Sequence, residues 1–125
     1  MTEKERALFA KADRALQTAR ANLDLGDADA AANRAYYAAF YAATAALSSV
    51  GERPRTHGGV HRRFSVHFVE SGPLSIELGS ILAYAQAVRR RADYEAFAIL
   101  DAAAVADLVS DVAGFVQAVR SLIEG

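Results

Sequence analysis

Apolar residues recur along this chain at helical spacing, and few breaks separate the stretches. Between about Thr2 and Leu25, Leu8, Ala12, Ala15, Leu16, Ala19 and Leu23 share a face while acids and bases fill the other positions, the pattern of an amphipathic helix. Gly26 stops it, and Asp27 is placed to cap the next. A second helix is predicted from about Ala28 to Val50. In it Tyr36, Phe40, Ala43 and Leu47 form one stripe, and Asn33, Tyr37, Tyr41 and Thr44 form a more polar neighbour. Alanine fills most of the gaps, so this helix is expected at the centre of a bundle, buried on several sides. Gly51 and Arg53-Pro54 end it.

Thr56 is a cap for a third helix, about His57 to Glu70, with Val60, Phe64 and Phe68 as its apolar edge. Ser71-Gly72-Pro73 breaks the chain. The fourth helix runs from about Leu74 to Ala92, with Leu78, Leu82, Ala85 and Arg89 on one stripe and Ile81, Tyr84 and Val88 beside it. Asp93 to Leu100 is a connection or a helix end. A fifth helix starts near Asp101 and carries a wide apolar face from Val105 to Ile123. The expected fold is a single all-α domain over residues 1–125, an antiparallel up-and-down bundle of four to five helices.

Composition agrees: 29 of 125 residues are alanine and two are proline, which favours helices that approach closely. There is no cysteine, so disulfides and cysteine-ligated zinc are excluded. No apolar run reads as a membrane span of about 20 residues. The segment Met1 to Arg14 alternates charges without an apolar core, unlike a secretory signal. A cytoplasmic protein with no membrane association is the expectation.

The net charge of −1 conceals an asymmetry. Residues 51–91 hold seven arginines and three acids, whereas the remainder holds seven basic and twelve acidic residues. Arginine's planar fork suits phosphate or carboxylate, so the middle of the chain either faces an anion or solvates helix surfaces.

Three constellations follow. Arg34, Tyr37 and Tyr41 share a face at i, i+3 and i+7. They make either a satisfied polar patch, in a bundle or at a dimer interface, or a cation–π surface that positions phosphate. His57 and His61 are spaced i, i+4, close enough to share a metal, but no carboxylate lies between them and the zinc-protease pattern is missing. No metal and no cofactor is expected. Arg89-Arg90-Arg91 spreads over most of a helix circumference at about 100° per residue. Arg89 therefore falls on the apolar stripe and needs a carboxylate, which Asp93 at i+4 can supply. Glycine-rich phosphate loops and nucleophile elbows are absent.

The string Asn33-Arg34-Ala35-Tyr36-Tyr37-Ala38-Ala39-Phe40-Tyr41-Ala42-Ala43 resembles the signature helix of HEPN proteins (higher eukaryotes and prokaryotes nucleotide-binding), in the small stand-alone prokaryotic branch. Gly51, Thr56-His57-Gly58-Gly59, Arg89 with Ala92-Asp93-Tyr94, and the last helix match that branch in order. The resemblance implies a homodimer, partnered with a minimal nucleotidyltransferase in a toxin–antitoxin-like system. It implies nucleotide or RNA binding, with Arg89, Asp93, Tyr94, Arg34, Tyr37 and His57 as candidate binding residues. Active toxins of the family are metal-independent RNases that carry a histidine four to six residues after an arginine. Counting from Arg89 puts Tyr94 there, with Asp93 before it, and neither shuttles protons near neutral pH at its ordinary pKa. Arg62 with His67 and Arg55 with His61 match the spacing elsewhere and read as coincidence. The leading expectation is therefore a binding protein that lacks the usual RNase histidine, in which Tyr94 offers a hydroxyl to a partner's nucleotidyl transfer. The alternatives are an active endoribonuclease that uses His57 or His61, and a purely structural partner-binding bundle.

Overall fold

A computed structural model describes residues 1–124. Five helices follow one another: α1 (Glu3–Asp24), α2 (Ala28–Ser49), α3 (His57–Phe64), α4 (Ile76–Tyr94) and α5 (Ala102–Glu124). Each start is fixed by a side-chain oxygen that accepts an otherwise unsatisfied backbone N–H. Thr2 and Glu5 form a reciprocal capping box on α1. Asp27 accepts from the Ala30 amide, Thr56 from Gly59, Ser75 from Leu78 and Asp101 from Ala104. Gly26 and Gly51 end α1 and α2 at φ +81° and +80°. Only glycine holds that conformation without penalty, and it lets the next amide return to the last turn (Asp27 to the Asn22 carbonyl, Glu52 to that of Leu47).

The position of α2 explains the alanine. It packs on each of the other four helices, and nine of its eleven buried residues are alanine. Small side chains on every face let four neighbours approach one axis closely, and larger ones would push them apart. Tyr36 and Leu47 are the two large side chains buried there, on the stripe the sequence marks. The half-buried stripe is Asn33, Tyr37, Tyr41 and Thr44.

Three expectations change. The third helix is regular only to Phe64. It then widens into a π turn over Ser65–Glu70, with Phe68 stacked on Phe64 at 5.2 Å. Gly72 closes this turn: a Cβ there would lie 2.4 Å from Phe68 Cα. The fourth helix starts at Ile76 rather than Leu74 and continues through Asp93 to Tyr94. Finally, α5 is long and apolar enough to cross a membrane by length and composition. Its apolar residues instead cover α1, α2 and α4, with Val105, Leu108, Val112, Phe115 and Val119 buried. It is a core helix, because its charges (Asp107, Asp111, Arg120 and Glu124) leave one face wholly apolar.

Candidate functional site

The N-terminal halves of α2 and α3 and the end of α4 meet around two tyrosines. Tyr36 points inward from α2 and is completely buried. A buried phenol needs a partner, and it has two. Its hydroxyl lies 3.1 Å from His57 Nδ1 and 3.1 Å from His61 Nε2. The i, i+4 spacing does bring the two imidazoles together, but on the Tyr36 oxygen. Burial pushes the phenol up to about 12, against the lowering charges of Arg89 and Arg90. It is therefore a neutral hydroxyl at any physiological pH. Burial, and then the charge of His57, press His61 below the ordinary histidine value.

Arg89 closes the cluster from α4. Its guanidinium carbon sits 4.9 Å from the centre of the Tyr36 ring and 5.9 Å from that of Tyr37, in range for cation–π attraction. One terminal nitrogen donates to Asp93 at 2.8 Å, the carboxylate that the sequence places for it. The Nε–H is buried and has no acceptor. Arg34 lies over the other stripe, 5.2 Å from the Tyr37 ring centre. Its hydrogen bonds go to the neutral Asn33 side chain, so its charge is not cancelled there. His57 is exposed, stacked on Phe40 with ring centres 4.2 Å apart, and meets the edge of Tyr37 at 5.9 Å. Arg34, Tyr37, His57, Arg89 and Asp93 thus come together, linked by Tyr36. Tyr94 ends α4 with 75% of its surface exposed, outside this chain of contacts.

Two grooves meet at Arg34. One, of about 580 Å³, is lined by Asp27, Asp29, Asn33 and Asp93 among others. The other, of about 310 Å³, runs between α1 and α2 past Lys11, Arg14, Thr18 and Tyr41. The first carries three acids beside Arg34, one of them the Asp93 that Arg89 engages, whereas the second carries Lys11 and Arg14 beside it. The α3 end of the site is braced by Glu52, which takes both Arg63 nitrogens at 2.8 and 3.1 Å and also meets His67. The Arg63 hydrogen bonds hold the Glu52 carboxyl below the usual carboxylate range. Arg63 ties the loop before His57 to α3. Tyr36 is the member that the sequence did not single out as part of a site. The available signal was an inward tyrosine on the central helix opposite a short helix with histidines at i, i+4.

An all-α bundle with arginine and histidine gathered on a buried tyrosine of its central helix defines a narrow class. The chain belongs to the HEPN family: the HEPN domain matches residues 5–122. It is similar to a UPF0332 protein of Gloeobacter violaceus, 34% identical over 94 residues covering 75% of each chain. A UPF0332 protein of Thermotoga maritima is also 34% identical over 94 residues, 75% of this chain and 71% of that one. A Methanocaldococcus jannaschii protein bearing the name "Putative toxin" is 32% identical over 89 residues, 71% of this chain and 60% of its own.

Proposed function

We propose that this protein binds RNA or a nucleotide through a phosphate held between Arg34 and Arg89, as one component of a toxin–antitoxin-like system. The observation that carries this reading is the convergence of two guanidinium groups on the half-buried Tyr37 ring, one of them uncompensated and the other with a buried N–H left without an acceptor. A phosphate supplies charge to both, and the Tyr37 and Tyr41 rings offer faces on which a base stacks. Relatives bearing the name "Putative toxin" support the setting, in which a minimal nucleotidyltransferase is the partner and Tyr94, exposed at the end of α4, is a hydroxyl within its reach. Fluorescence anisotropy with a labelled single-stranded RNA tests the site. Arg34→Ala and Arg89→Met should each weaken binding about tenfold and reduce the salt slope by about one. Unchanged affinity in both refutes it.

A second reading, a metal-independent endoribonuclease, is favoured by one observation. The exposed His57 imidazole hangs from the tyrosine that Arg89 covers, and an imidazole suits acid–base work near neutral pH. RNA cleavage in the presence of a chelator that disappears in both Arg89→Ala and His57→Ala would establish it.

We also infer a homodimer. Tyr84, Tyr94, Phe97 and Ile99 are all more than half exposed along α4 and the connection after it, an apolar surface suited to a second copy. Light scattering at micromolar concentration should give twice the 13.3 kDa chain mass, and a monomer mass defeats the inference.

A further inference from the structure

We propose that Tyr36 ties His57 and His61 into a pair that holds a single proton, so that an anion bound beside Arg89 is taken up together with one proton on His57. This rests on the anion-binding reading above and adds the protonation state to it. The geometry is the starting point. One hydroxyl, completely buried, stands 3.1 Å from a ring nitrogen of each histidine. A phenol has one proton to donate. If it donates to one imidazole, the other must donate its own N–H to the phenol oxygen for both bonds to exist.

Protonated His57 carries N–H on both ring nitrogens. Its Nδ1–H then donates to the Tyr36 oxygen, and the Tyr36 hydroxyl donates to a bare Nε2 of His61. Every group in the row is satisfied, with one positive charge at its exposed end. Protonating His61 as well would turn both ring nitrogens into donors toward one oxygen and leave the hydroxyl proton with neither acceptor. A buried polar group without a partner costs on the order of 1–3 kcal/mol, so the second proton is refused. His57, which is exposed, is the member that takes the first proton, because its charge stays in contact with water. The half-buried His61 is already disfavoured as a cation by burial and by His57.

The charges that act directly on this row are cationic, and the nearest carboxylate, Asp93, is engaged by Arg89 at 2.8 Å. Arg89 and Arg90 act on Tyr36 from α4, and Tyr36 and Tyr37 on α2 are neutral neighbours. On α3, Arg63 is engaged by Glu52 away from the pair. Phe40 covers the flat face of His57. No carboxylate appears among the partners of either imidazole within the described residues. A bound anion therefore provides the negative charge that a protonated His57 lacks. By linkage, the anion raises the proton affinity of His57, and the proton raises the affinity for the anion by the same factor. The ligand class is a phosphoryl-like tetrahedral anion, bound most tightly as the dianion of a terminal phosphate.

Sulfate is the appropriate probe, because it does not itself titrate near neutral pH. Imidazole nitrogen and proton NMR on the full chain, between about pH 5 and 9, reads both histidines with and without sulfate. In the free protein His57 should titrate while His61 stays neutral, protonated on Nδ1, throughout that transition. Saturating sulfate should raise the His57 midpoint by about one unit, which equals a tenfold preference of sulfate for the protonated form. Tyr36→Phe should release His61 to titrate within that range, still below His57 because burial and the His57 charge remain. If that variant folds poorly, Arg89→Met replaces it: the sulfate-induced shift should vanish and the one-proton titration of the free protein should persist. Both histidines titrating together in the unmodified protein overturn the pair. Sulfate seen to bind at Arg89 without moving His57 overturns the coupling alone. Sulfate that does not bind at all overturns the anion site proposed above, and the coupling with it, while the free-protein titration still decides the pair.

Discussion

Replacing Arg89 by methionine separates what the side chain does for the fold from what it does for a ligand. Arg89 is only 14% exposed, so methionine, unbranched and adaptable, fills most of the space of its stem. The loss on the folding side is the cation–π attraction to Tyr36 and Tyr37 at 4.9 and 5.9 Å, roughly 0.5–2 kcal/mol. To this is added the pair with Asp93, about 0.3–0.5 kcal/mol for an i, i+4 contact at the surface. The gain is removal of the buried Nε–H that has no acceptor, about 1–3 kcal/mol. The two sides nearly cancel, so Arg89→Met should change stability by no more than about 1 kcal/mol, or about 4 °C in Tm for a domain of this size. Arg89→Ala should cost about 1–2 kcal/mol more, since it also removes the stem's packing. Asp93, 38% exposed at its side chain, is left to water and adds no buried charge. Urea denaturation followed by circular dichroism gives the stability, and RNA anisotropy on the same samples gives affinity. A methionine variant that is destabilised by more than roughly 3 kcal/mol yet binds RNA as before would make Arg89 a structural residue and refute the reasoning.

Other consequences are more local. Gly72→Ala places a Cβ against the backbone of Phe68, which cannot yield as a side chain can, and should cost about 1–3 kcal/mol or more by chemical denaturation. Ala39→Leu inserts three carbons into α2 at a completely buried position and should destabilise by a similar 1–3 kcal/mol, whereas Ala10→Leu on the exposed face of α1 should change stability within about 0.5 kcal/mol. His61 is held below its ordinary pKa in the folded chain, so the unfolded chain binds the extra proton. Its contribution to stability is complete above the unfolded value of about 6.5 and is lost as pH falls below it. Comparing the pH dependence of urea midpoints for the parent chain and His61→Gln should show a shallower acid slope in the variant; identical slopes would remove His61 from the acid response.

The helices are legible because their signals are local. Capping oxygens, stopping glycines and apolar stripes all lie within a few residues of what they specify, and Asp27, Thr56, Asp101, Gly26 and Gly51 each do what their type and place imply. The π turn after Phe64 is not of this kind. Ser65–Glu70 keeps an apolar edge that a regular helix would also show, and what widens it is the packing of Gly72 on the Phe68 backbone. The site divides in the same way. The Arg89–Asp93 pair spans four residues on one helix and follows from the pattern. The Tyr36 bridge spans 21 and 25 residues to its two histidines, and Tyr36 stands on the most apolar stripe of α2, so periodicity presents it as core and is silent about where its hydroxyl points. Counting along α4 from Arg89 arrives at Tyr94, but counting gives a position on the chain and not a direction. The last residue of a helix that ends in an exposed connection faces solvent. What did point to the site was a violation. An arginine on the stripe of Leu78, Leu82 and Ala85 breaks the rule that the rest of the helix obeys. The structure keeps that arginine inside, with one buried N–H unsatisfied. That cost is offset by the rings of Tyr36 and Tyr37 and by the Asp93 carboxylate, so the exception on α4 is settled by partners on another helix that periodicity along one helix does not show.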